Sequence, residues 1–121
     1  MNFFTVATAA AIVSVLIGAI WIFAGRFMFK RWGIEAVPQG LMMGRRLGAV
    51  YLGVALLLWL VRDSQAAVTQ NAVSAGLCLA LTLLTAFSFI EVIARRAGRA
   101  MLVSVLVEVL LALGFAHVIF S

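Results

Sequence analysis

Four blocks of nearly pure hydrocarbon side chains, separated by three short stretches that hold every charge except Glu91 and Glu108, make up almost all of this chain. A run of about 20 apolar residues is long enough to cross the hydrocarbon core of a bilayer as a helix. Within lipid the backbone must satisfy its own hydrogen bonds, so such blocks pack as helix on helix. The expected architecture is an all-α membrane protein, an antiparallel bundle of four transmembrane helices over 3–24, 41–61, 72–94 and 100–120 that forms one domain across 1–121.

Composition excludes the alternatives. With 66% of its 121 residues hydrophobic, the chain has too few polar groups to cover a water-soluble domain. A net charge of +5 could suggest nucleic acid, but the basic residues sit beside membrane segments and not along a soluble face, so the expected partner is the lipid bilayer. Eight of the nine basic residues are arginine, a bias associated with GC-rich bacterial genomes, and a bacterial inner membrane is the expected location. Cys78 is the single cysteine. Alone it makes no internal disulfide and no thiolate metal site, and among leucines and alanines it is a small core residue. No basic segment precedes Phe3, and the first block outruns a typical signal-peptide core, so it is expected to remain as a helix.

The connections carry the punctuation. Arg26, Lys30, Arg31 and Trp32 follow the first block and suit a membrane interface, where rings sit at headgroup depth and long cations snorkel outward. Pro38-Gln39-Gly40 reads as a turn. Arg45 and Arg46 then lie one turn inside the second helix, whose uninterrupted apolar stretch, 47–61, is only 15 residues. Arg62-Asp63-Ser64-Gln65 opens the middle connection, and Arg95, Arg96 and Arg99 make the third basic. The first and third connections thus hold eight basic residues and the middle one only Arg62. Basic loops face the cytoplasm, so both termini should lie on the other side.

Glu108 is the sharpest candidate for chemistry. Placed about 12 Å into the last helix, its ionised carboxylate would cost at least about 2.5–3.5 kcal/mol. Ala100, Ser104, Glu108, Ala112 and Ala116 recur every four residues, a ridge of small side chains with a carboxyl at its centre, so Glu108 should face protein. It is either a proton carrier, a cation site or a substrate counter-charge, or a hydrogen-bonded acid whose partner comes from Tyr51, Thr82, Thr85 or Ser88. Glu91, one turn before Arg95, reads as half of an i,i+4 ion pair, with Ser88 on nearby helix surface. His117 is the only histidine. Nine residues from Glu108, it falls on roughly the opposite side of the helix and suits a headgroup-wetted position. Further small-residue ridges, Ala10-Ser14-Gly18, Gly44-Gly48 and Ala72-Gly76-Ala80, argue for close helix contacts within the chain or with another membrane protein. No phosphate loop, nucleophile–base pair or helical metal motif is present, so neither catalysis nor a cofactor is expected.

The size, the four-helix plan and the stretch Gly44-Arg45-Arg46-Leu47-Gly48-Ala49-Val50-Tyr51-Leu52-Gly53 resemble small bacterial membrane proteins of the DoxX-like kind. Members of that group include accessory subunits of quinone-linked oxidoreductases; the resemblance implies a plan and no catalytic residue. Small multidrug-resistance transporters are of similar length but carry their essential glutamate in the first helix, and 3–24 holds no acid. Two functions follow as expectations. The first is an accessory or scaffold subunit that packs against other membrane helices, as a homo-oligomer or within a larger complex. The second is a small proton-coupled carrier working through Glu108.

Overall fold

A computed structural model describes residues 2–95, 98 and 101–120. Arg96 and Arg99 of the basic third connection, expected as interface anchors with Arg95, and Ala100, the start of a ridge, lie outside the described residues. The chain is helical: α1 (Phe3–Phe23), α2 (Gly25–Arg31), α3 (Pro38–Val61), α4 (Ala67–Ile93) and α5 (Met101–Phe120), with no strand among the described residues. Four of these, all but α2, are long and apolar enough to cross a membrane.

Local signals explain the ends. The Asn2 side chain accepts the Thr5 N–H at 2.9 Å and caps α1. At Ala24 (φ −139°, ψ 39°) the backbone leaves the helical region, and a separate seven-residue helix, α2, begins at Gly25. The aromatic and basic stretch is therefore a helix of its own. It buries Met28 and sets Phe29 and Trp32 edge-on to Trp21, each with ring centroids 5.4 Å away, while Arg26, Phe27, Lys30 and Arg31 stay exposed.

Pro38-Gln39-Gly40 is not a turn but the opening of α3. Proline at the first helical position has the right φ and lacks only an N–H that would be unpaired there. Arg45 and Arg46 consequently lie two turns inside α3. The middle connection is also shorter than expected, because α4 starts at Ala67 and takes Thr69, Gln70 and Asn71 into its first turns. Gln70 Nε2 donates to the Ser64 carbonyl at 2.8 Å and closes that loop.

Packing comes in two pairs, α1 with α3 and α4 with α5, and α1 also touches α5. The first seam is made by glycine. A Cβ on Gly48 would stand 2.7 Å from the Gly18 carbonyl oxygen, and one on Gly44 2.6 Å from the Trp21 ring, so the backbones meet as closely as small residues permit. Ala10, Ser14 and Gly18 line the same seam and are buried. At the other end, Phe3, Val6, Ala7, Ala10, Ala11, Leu58 and Phe115 form the core that joins the pairs, flanked by Val73, Leu77 and Cys78 of α4. The Gly98 N–H donates to the Trp32 carbonyl. That bond ties the first basic connection to the third, beside Gly33, whose φ of +69° suits glycine.

Candidate functional site

Three helices bring the intramembrane polar residues together. Glu108 lies about 10 Å into α5 and is half-buried. Thr85, also half-buried on α4, donates its hydroxyl to Glu108 Oε2 at 3.3 Å. Tyr51, half-buried on α3, lies within electrostatic reach of the same carboxyl. Ser104 precedes Glu108 by one turn of α5 and Ser88 follows Thr85 on α4; both are half-buried. Thr82, one of the four partner candidates, is spent elsewhere: its hydroxyl donates to the Cys78 carbonyl of its own helix at 2.7 Å.

The ridge containing Glu108 faces α4 over its described length. Ala112 and Ala116 are half-buried, and the Cys78 thiol lies 3.7 Å from the Ala112 carbonyl oxygen. Small side chains at 104, 112 and 116 let α4 approach closely enough for a threonine to reach the carboxyl. Chemically the carboxyl can hold or exchange one proton, with the Thr85 hydroxyl as its hydrogen-bond donor and the Tyr51 phenol within electrostatic reach. Glu91 is half-buried near the basic end of α4, while His117 is exposed near the far end of α5 and plays no part in the cluster.

The interface residues Arg26, Lys30, Arg31, Arg45, Arg46 and Arg95 are exposed and Trp32 half-buried. Arg95 has φ +61°, an uncommon conformation for a side chain-bearing residue, where the chain turns out of α4. Arg62, alone on the middle connection, stacks over Trp59 at 3.5 Å and over Phe4 at 5.1 Å from the ring centroids. Aromatic faces thus hold this cation. Sequence reasoning missed this contact, although Trp59 precedes Arg62 by three residues, one helical turn.

The ridge of α4 is different from the others. Ala72, Gly76 and Ala80 are all exposed, and a Cβ at Gly76 would meet nothing within 4 Å. Ser74 is the one buried residue of α4, and two residues on, at 100° each, Gly76 points to nearly the other side. The ridge therefore faces away from α5. A comparison with protein-family models, curated proteins and solved structures found no match.

Proposed function

We propose that the protein is a small accessory or scaffold subunit that docks another membrane helix on the outer face of α4. The observation that carries this reading is the Ala72-Gly76-Ala80 ridge, which is open to a neighbour although the matching ridges of α1 and α3 are closed on each other. In lipid, apolar surface alone drives no association, and small residues that permit close backbone approach do. In this reading the chain is an antiparallel four-helix bundle of a bacterial inner membrane, with its basic connections in the cytoplasm and both termini outside. The DoxX-like resemblance supports an accessory role. The occupant of α4 is a second copy of the chain or a helix of a larger complex.

The test uses two open glycines. Neither Gly76 nor Gly53 has anything within 4 Å of its Cβ position, so leucine at either site leaves the internal packing intact. Native mass spectrometry from a mild detergent should show wild type and Gly53→Leu as a complex and Gly76→Leu as the single chain. A single chain in all three, or a complex unchanged by Gly76→Leu, removes the docking role.

A second reading rests on the Glu108 cluster: a proton-coupled carrier in which the carboxyl exchanges a proton for a cation. The convergence of Tyr51, Thr85 and Glu108 from three helices favours it, since intramembrane ionisable groups commonly mark transport paths.

A further inference from the structure

The break between α1 and α2 opens a cleft of about 180 Å³ against the start of α3, lined by Arg26 and Arg45 together with Trp21, Ile22, Phe23 and Leu41. We infer that this cleft binds the phosphodiester headgroup of an anionic phospholipid, with the first carbons of its acyl chains along the apolar wall. Depth is the first reason. α1 has 21 residues, about 31 Å of helix, which matches the hydrocarbon thickness, so Ala24 stands where the helix leaves the hydrocarbon. Counting back from Val61 at 1.5 Å per residue, Arg45 lies about 6 Å inside that boundary. Its exposed guanidinium lines the cleft with Arg26, which offers it a polar route out of the hydrocarbon.

Charge is the second reason. No acidic residue lines the cleft, so neither guanidinium is neutralised there, and each guanidinium carries a planar fork of N–H donors suited to phosphate oxygens. Size is the third. The volume falls below the roughly 300–1,000 Å³ of sites that enclose a whole small molecule, but a single phosphate with its glycerol attachment needs no more. The lining sets two cations, Arg26 and Arg45, beside the apolar Trp21, Ile22, Phe23 and Leu41, the same division as within a phospholipid. The cleft is held open by packing: Trp21 is fixed against Gly44, Phe29 and Trp32, and buried Gly25 admits Leu41 to within 3.2 Å of its Cβ position.

Protein in mixed micelles is offered equimolar phosphatidylglycerol and phosphatidylcholine with identical chains, and retained lipid is counted by native mass spectrometry. Wild type should prefer phosphatidylglycerol by about tenfold. Arg26→Gln/Arg45→Gln should bring the preference close to parity. Arg31→Gln/Arg46→Gln removes the same charge from outside the cleft and should keep most of it. Equal loss in both double variants, or no preference in the wild type, overturns the assignment. Displacement of phosphatidylglycerol by excess inorganic phosphate would mark a free-anion site and also overturn it. If the first double variant fails to fold, by circular dichroism, Arg26→Gln alone replaces it, since Arg26 is exposed; an unaltered lipid preference in that variant overturns the site.

Discussion

A carboxyl inside a bilayer can be tolerated or used, and at Glu108 the two cases differ by one proton. Glutamine keeps its size and hydrogen bonding but cannot exchange that proton. If Glu108 serves only packing, Glu108→Gln assembles and functions as wild type; if it carries a proton, Glu108→Gln folds but no longer transports or binds a cation. A proton-flux assay in vesicles reads the difference. Thr85→Val calibrates the structural share. Interhelical hydrogen bonds in membranes average about 0.6 kcal/mol, so this change should lower thermal stability only slightly. A large loss of assembly in Thr85→Val would mean that the Thr85–Glu108 bond is a principal tie between α4 and α5. At the other end, Arg62 depends on Trp59 and Phe4. Trp59→Leu should remove the closer of its two rings and bring its guanidinium nearer to water, read as faster reaction of Arg62 with an arginine-specific reagent.

Among the elements, the α1–α3 seam tolerates least. A leucine at Gly48 would meet the Gly18 carbonyl, a backbone atom that cannot rotate aside. Overpacking of this kind costs about 1–3 kcal/mol, so Gly48→Leu should separate the pair and appear as detergent-induced aggregation, while Gly53→Leu, five residues later and open, should not. Unchanged melting of Gly48→Leu would show that the two glycines do not touch in the membrane. The four spans were legible from block length alone, and so were the small residues of the α1–α3 seam. The start of α3 was not, because proline with glycine two residues on serves equally as a turn or as a first helical turn, and only tertiary packing decides. The separate helix α2 was not legible for a related reason: the first helix is expected to end at Ala24, but the aromatic and basic residues after it suit an irregular interfacial connection as well as a short helix. Of the candidate site, Glu108 and its four possible partners could be read from the sequence. Which partner reaches the carboxyl depends on how α4 is rotated against α5, a property that four-residue spacing does not encode.

For the whole molecule, the bond between Trp32 and Gly98 joins the first connection to the third at one end, where the described Arg26, Lys30, Arg31 and Arg95 also lie. With the positive-inside rule, reporter fusions at Gly33 and Gly98 should read cytoplasmic, and fusions at Gln65 and after the C-terminus external; a cytoplasmic C-terminus would invert the assignment. The docking face of α4 is tested most directly in intact membranes. With Cys78 replaced by alanine, a single cysteine is placed at Ala80, on the open ridge, or at Ala86, also exposed but turned about 240° around the helix, and each is labelled with a benzophenone. A subunit that docks a helix on this ridge should give one discrete cross-linked product from position 80 and none from position 86. Cross-linking to lipid alone from position 80, or the same products from both positions, would contradict the docking role.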